Sequence, residues 1–269
     1  MDCLTAIEME AGGERLVLRG DRSLYWPREQ VLVVADLHLG KTESLRADGV
    51  ALPDGAMAHD LARLALALEE TGAQRLLILG DLVHDAAALS LGVRRAVAEW
   101  RSRISASVHL VLGNHDLRVD TMPNEWRLQV AGSSLDIPPF HFVHEHVHPQ
   151  PQPQPQLHPQ LHPLPHPHLD PHLDPQLDPH LHPHLHPHLH LHPHVNEAGG
   201  EFTWSGHLHP VLSLRSATDA VRVPCFLLRP HAGVLPAFST LTGGAAVRLA
   251  ATDRAVAVVD GMVIHLPTP

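Results

Sequence analysis

An α/β layered fold is predicted for this chain, with a second β-sheet packed on the first. Three features predict it. Short apolar runs alternate with stretches of helical periodicity from Val31 to Leu112, the pattern of strand–helix–strand crossover units. Those runs are continuous rather than alternating, as in strands buried on both faces. From Phe202 onward, strand-like runs follow one another with no helical stretch between them. The chain has 269 residues, 44% of them apolar, enough for one large domain with a sizeable core. Aromatics make up only 4%, so the core falls to Leu, Val, Ile and Ala.

In chain order, Ala6 to Met9 and Arg15 to Leu18 flank Gly12-Gly13 and predict an N-terminal β-hairpin. Val31 to Ala35 is a buried strand rich in β-branched residues. Asp54 is the expected N-cap of a helix running through about Glu70, with Met57, Leu61, Leu64 and Leu68 on its apolar face. Leu76 to Leu79 is a second buried strand, Leu91 to Ile104 a second helix, and Val108 to Leu112 a third strand. Phe140 to Val143, Phe202 to Trp204, Val211 to Leu214, Val221 to Leu228, Val256 to Val259 and Met262 to His265 complete the strands.

Between His148 and His194 the chain becomes a repeat of His, Pro, Leu, Gln and Asp, holding fourteen of the 26 histidines. Proline recurs too often for a helix and removes sheet donors, so residues 148–194 read as an extended or disordered insertion. Residues 1–147 and 195–269 then form one domain. The tract reads first as a tolerated repeat expansion in a surface loop, with metal storage or delivery as the alternative.

Net charge is −10 with histidine neutral, and three acids (Asp170, Asp174, Asp178) lie in the tract. The balance argues against a broad basic surface for nucleic acid, although bound divalent cations would offset much of it. Two cysteines in unrelated contexts, Cys3 and Cys225, suit a reducing cytoplasm rather than a disulfide framework. No basic-then-apolar leader and no apolar stretch of about 20 residues is present, so a soluble, cytoplasmic protein with no membrane association is expected.

The chemistry sits at the strand ends. Asp36 and His38 follow the first buried strand at i, i+2 spacing, so both face one side if the extended geometry continues. Asp81 follows the second strand after Gly80, a glycine that lets the backbone approach an ion. Asn114 and His115 follow the third after Gly113. His144 follows Phe140 to Val143. His207 and His209 follow Gly206, again at i, i+2. Groups at the carboxyl ends of strands converge on one crevice. Mixed oxygen and nitrogen donors suit Mn, Fe, Zn, Co or Ni better than Ca or Mg. Seven ligands exceed one ion but serve two that share a carboxylate, a recurring solution for phosphoryl hydrolysis.

Five blocks stand in a fixed order: Asp36-Leu37-His38, Gly80-Asp81, Gly113-Asn114-His115-Asp116, His144 and Gly206-His207-Leu208-His209. In that order they resemble the signature of the calcineurin-like metallophosphoesterase family. The stretches LYWP (24–27), ADLHLGK (35–41), GDLVH (80–84), GHLHP (206–210) and LPAFSTLTGG (235–244), with Arg46 and Gly49, resemble its ligase-associated DNA damage response endonuclease subgroup, PdeM. The resemblance covers nearly the whole chain outside the tract. It implies a layered sandwich of two mixed β-sheets flanked by helices. It implies that Asp36, His38, Asp81 and His209 hold one metal and Asp81, Asn114, His144 and His207 the other, with Asp81 bridging. His115 then protonates the leaving oxygen or stabilises the transition state, and Asp116 orients it. Water activated between the metals attacks phosphorus in line. Mn, a DNA substrate and an association with a DNA ligase and helicase repair set are further implications.

Two departures from the family pattern bear on His144. Glu145 is followed by His146 where the family favours proline, and the tract then begins, so His146 or His148 competes with His144 as ligand. Blander readings apply elsewhere. His84 is either a neighbour supporting Asp81 or an ordinary structural histidine. Lys41, Arg46 and Arg118 either hold substrate phosphate or are solvated. His59, His109, His141, His231 and His265 read as ordinary residues, Cys225 as a small core residue, and Trp26 and Trp204 as packing residues. Three functions compete: a metal-dependent phosphodiesterase acting on DNA, the same site acting on nucleotides or small phosphodiesters, and a non-enzymatic His-rich metal-binding protein.

Overall fold

A computed structural model describes residues 5–47, 49–52, 55–145, 202–215 and 220–265. Cys3, Asp54, His146, His148 and the whole His/Pro tract lie outside them. So does the reading of 148–194 as an insertion.

One sheet has seven strands in chain order: β1 (Ala6–Ala11), β2 (Glu14–Arg19), β3 (Leu24–Trp26), β4 (Val31–Ala35), β5 (Arg75–Leu79), β6 (Ser107–Val111) and β7 (Leu128–Gly132). β1 to β4 pair antiparallel, and β4 to β7 run parallel. The second sheet has nine strands: β8 (Ser134–Ile137), β9 (Phe140–Val143), β10 (Phe202–Ser205), β11 (Pro210–Arg215), β12 (Ala220–Arg229), β13 (Ala232–Val234), β14 (Ala245–Ala246), β15 (Arg254–Val259) and β16 (Met262–His265). β9, β10 and β13 are parallel neighbours within it, and its other pairings are mostly antiparallel. Both sheets are therefore mixed.

Alternation along β4 explains the layering. Val31, Val33 and Ala35 point to a core shared with Phe140, Phe142, Trp204, Phe226 and Val256 of the second sheet. Leu32 and Val34 point the other way, to a core shared with the helices. All five residues are buried, which is why the run is continuously apolar. The helices are α1 (Lys41–Ala47), α2 (Ala56–Thr71) and α3 (Leu91–Arg103). Leu61, Leu64 and Leu68 of α2 are buried as their spacing predicts, with Met57 partly buried beside them. The N-cap of α2 is Gly55, left-handed at φ 94° and without a side-chain cap, in place of the expected Asp54. Ser90 caps α3, its Oγ accepting from Val93 N at 3.3 Å. Trp26, Trp204 and Cys225 are fully buried packing residues. Among the described residues no helix is long and apolar enough to cross a membrane.

Candidate metal centre

Five strands of the two sheets end at one place. Asp36 follows β4, Asp81 follows β5, Asn114 and His115 follow β6, His144 follows β9 and His207 follows β10. The loops after β4 and β5 stay in register. Asp36 N–H donates to the Gly80 carbonyl at 3.2 Å, His38 N–H to Asp81 at 2.8 Å and Leu39 N–H to Leu82 at 2.8 Å.

The extended geometry expected at Asp36 and His38 does not continue. Both are left-handed (φ 56° and 46°), as are Asp81 (48°), His207 (63°) and His209 (46°). Asp and His tolerate this region better than most residues, yet each such residue still costs about 1–3 kcal/mol and persists only where its surroundings over-determine it. The strands must stop and curl so that their carboxylates and imidazoles meet. Five of the nine non-glycine residues with positive φ among those described belong to this one cluster.

The seven expected ligands come together. Asp36, His38 and His209 form one group whose donor atoms all lie within 4.8 Å of one another; Asp81, His144 and His207 form a second. The two histidines after Gly206 thus divide between the groups. His209 Nε2 lies 3.2 Å from Asp36 Oδ1. His144 Nε2 is 3.4 Å from Asp81 Oδ1, 3.0 Å from Asn114 Oδ1 and 3.1 Å from His207 Nδ1. The groups adjoin, because His38 Nε2 is 3.8 Å from Asp81 Oδ2 and His144 Nδ1 is 3.7 Å from Asp36 Oδ1.

Main-chain carbonyls orient the rings. His209 Nδ1 donates to Gly243 and His144 Nδ1 to Leu79, at 3.0 and 2.9 Å, which leaves each Nε2 free to ligate. His115 Nδ1 donates to the His84 carbonyl, which leaves its Nε2 3.9 Å from Asp81 Oδ2. The His84 ring stacks on His115 at 5.2 Å between centroids. This corrects the role expected of Asp116. Its buried carboxylate accepts from Val83 N at 3.1 Å and Gly113 N at 3.0 Å, so it braces two loops, and the His84 carbonyl sets the His115 ring. The glycines are also explained differently. A Cβ at Gly80 would lie 2.2 Å from His144 Nδ1, and one at Gly113 2.3 Å from Asp81 Oδ1. They make room for the side chains of His144 and Asp81.

Charge in the cluster is balanced by its own imidazoles. For His144, burial works against the charged form, but bonding to Asp81 and the charges of Asp36 and Asp81 prevail and raise its pKa to about 9. For Asp81, burial is likewise overcome, chiefly by His144, and its pKa falls to about 2. Burial leads in holding His38 down at about 3, with His209, Lys41 and His115 adding to it, so this imidazole is neutral. Asp36 Oδ1, both ring nitrogens of His38 and His209 Nε2 are buried without a hydrogen-bond partner. Buried polar atoms of this kind, held by at most the 3.2 Å approach of His209 Nε2 to Asp36 Oδ1, are costly unless something satisfies them, and a divalent cation fits this set.

The remaining candidates are more peripheral. Lys41 opens α1 close enough to depress His84, after burial. Arg46 donates to the Leu52 carbonyl through Nε and Nη2 at 3.2 and 2.9 Å, so part of its hydrogen-bonding capacity serves its own loop. Arg118 is exposed in the turn after His115. His84 and Asp116 show how a partner is missed in sequence: one acts through its carbonyl and the other through backbone amides, and neither use leaves a residue signature.

The calcineurin-like phosphoesterase family model matches residues 30–211. Among solved structures, the nuclease MPE of Pseudomonas putida is 28% identical with a TM-score of 0.68, over 97% of this chain and all of that one. The phosphoesterase Yfce of E. coli is 12% identical with a TM-score of 0.35, over 89% of this chain and 99% of that one. No curated protein matches. The family match spans β4 to β11 and with it all seven clustered side chains, so the chain belongs to the calcineurin-like phosphoesterase family and is a metal-dependent phosphoesterase.

Proposed function

We propose that this phosphoesterase uses two divalent ions to hydrolyse phosphodiester bonds in DNA, as an endonuclease of DNA repair. The observation that carries the two-ion reading is the pair of adjoining donor groups, Asp36–His38–His209 and Asp81–His144–His207. Asp81 lies between them, and Asn114 completes the second. The ions bound there, Mn first and Zn, Fe, Co or Ni as alternatives, supply Lewis acidity that offsets phosphoryl charge and lowers the pKa of water.

The chain's own residues do the rest. His115 keeps its Nδ1 proton on the His84 carbonyl, so its imidazolium form gives the Nε2 proton to the leaving oxygen and is left as the neutral Nδ1–H ring. Lys41, beside His38 and His84, adds positive charge at the rim where a phosphate enters. A nucleic-acid substrate is supported by the likeness to nuclease MPE, and DNA in particular by the PdeM-like stretches. A ligase and helicase partnership and a cytoplasmic location belong to the same reading, with 1–147 and 195–269 as its catalytic domain. The net charge of −10 favours the second reading, in which the same site takes nucleotides or small diesters.

Two experiments test this. Asp81→Ala and Asn114→Ala are expected to cut hydrolysis of a chromogenic diester at least about 100-fold, the scale on which supporting and direct metal contacts act. Wild-type activity in both variants would end the two-ion proposal. Cleavage of DNA should fall steeply between about 50 and 200 mM salt, while that of the chromogenic diester stays nearly level. Equal salt dependence would favour small diesters.

A further inference from the structure

The irregular segment from Leu235 to Gly244 touches two ligands of the same donor group. Phe238 N–H donates to the Ala35 carbonyl at 2.8 Å and Ser239 N–H to the Asp36 carbonyl at 3.4 Å. The Gly243 carbonyl receives the His209 ring N–H at 3.0 Å, and Ala245 N–H donates to the His209 carbonyl at 3.1 Å. The segment thus fixes the backbone of Asp36 and both the ring and the backbone of His209. It has no regular structure of its own before β14, so its position must be imposed from outside.

Three side chains distant in sequence impose it. Arg22 Nη1 donates to the carbonyls of Ala237 at 3.2 Å and Ser239 at 2.9 Å. Arg63 donates to the intervening Phe238 carbonyl, and its guanidinium carbon lies 4.2 Å from the centre of the Phe238 ring. Asp60, buried, accepts from Thr240 N and Thr240 Oγ1, both at 3.3 Å, and pairs with Arg63 Nη1 at 3.3 Å. Three successive carbonyls and the next amide are therefore all engaged. Arg22 is itself left-handed at φ 70°, a strain kept only where its surroundings demand it. Burial lowers the pKa of both arginines, and the charge of Arg63 lowers Arg22 further, so bringing them together has a cost. Charge-assisted hydrogen bonds to the segment offset that cost.

We propose that Arg22, Asp60 and Arg63 are positioning residues for one ion site, the Asp36–His38–His209 group, acting through residues 237–243. The other group is tied mostly elsewhere. His144 is set by the Leu79 carbonyl, at the end of β5, and by Asn114, which follows β6. A side-chain hydrogen bond joins the two groups, from His207 N–H to Asp36 Oδ2 at 3.0 Å. Cutting the clamp therefore loosens the first ion more than the second. The inference rests on the two-ion reading.

The test is a calorimetric titration of the metal-free, full-length chain with Mn²⁺. Wild type is compared with Arg22→Ala, Arg63→Ala and the milder Thr240→Val, with circular dichroism to confirm folding. Wild type is expected to take two ions. Arg22→Ala and Arg63→Ala should keep one close to wild-type affinity and hold the other about 10- to 100-fold more weakly. Thr240→Val should weaken the same ion to a smaller degree, and it carries the test if an arginine variant does not fold. Folded variants that hold both ions as wild type does, or that lose both in parallel, would overturn the clamp. Fewer than two ions in wild type would overturn the two-ion reading itself.

Discussion

A methyl group added at Gly80 would sit 2.2 Å from His144 Nδ1, on a backbone at φ 73° that an L side chain rarely adopts. Gly80→Ala is therefore expected to push the imidazole off the Leu79 carbonyl and to weaken ion binding at the Asp81–His144–His207 group about 10- to 100-fold. Metal titration checks it, and unchanged binding would refute this account of the glycine. His144 carries a second prediction. Its pKa of about 9 lies above the ordinary 6.5, so its charge stabilises the metal-free fold fully below about pH 6.5 and ceases to as pH rises through about 9. Asp81, depressed to about 2, behaves oppositely: its contribution is present above about pH 4 and lost as pH falls toward 2. At pH 7 to 8 the metal-free His144 is protonated, and a ligand must be neutral. Metal loading should therefore release about one proton per chain or more, measured as the dependence of binding enthalpy on buffer ionisation enthalpy. Loading with no proton release would contradict it. At this scale the sequence was legible in residue type and order, as with Asp36 and His38 or His207 and His209, but the i, i+2 spacing misled, because these residues are left-handed rather than extended. It named Asp116 but not its contacts, because the amides it braces belong to Val83 and Gly113 and any sequence supplies amides.

Strands buried on both faces announced themselves, because a continuous run such as Val31–Ala35 has few other uses. α2 was equally legible from the spacing of Leu61, Leu64 and Leu68. Elements without a burial pattern were not. α1 spans seven residues with only Thr42 buried, and β3, β13 and β14 have two or three residues each, too few for a period. Their positions come from neighbours: β13 pairs with β10 and β12, and α1 follows the His38 loop. The apolar face of α2 is distinct from Asp60 and Arg63, through which the same helix holds the 238–240 segment. Leu64 is fully buried in the core between α2 and the first sheet, whereas the ligands lie at strand ends. Leu64→Ala should destabilise the fold by about 2–5 kcal/mol in chemical denaturation, with little change in activity per folded molecule. A loss of activity without loss of stability would mean that the apolar face of α2, and not only Asp60 and Arg63, acts on the site.

At the scale of the whole molecule, family membership makes the chain an enzyme and sets aside the non-enzymatic metal-binding reading, so any role of the His/Pro tract is additional to catalysis. The tract joins two strands whose pairing fixes what its removal requires. β9 and β10 are parallel, with Phe202 opposite Phe140, so the chain must return from the end of one to the start of the other. Four-residue strands are about 13 Å long. Deleting 148–194 leaves residues 144–147 and 195–201 for that return, eleven residues with an extended reach of roughly 36 Å. The shortened chain should therefore close and fold, with His144 still leaving β9 toward the site. It should lose the retention on nickel resin expected of the full chain, whose tract holds fourteen histidines. If the tract is a tolerated expansion, the deletion keeps wild-type activity on a chromogenic diester even when Mn²⁺ is limiting. If it gathers metal for the site, activity falls at limiting Mn²⁺ and recovers in excess. The first outcome is expected, because the seven candidate ligands and the carbonyls that orient their rings lie outside residues 148–194.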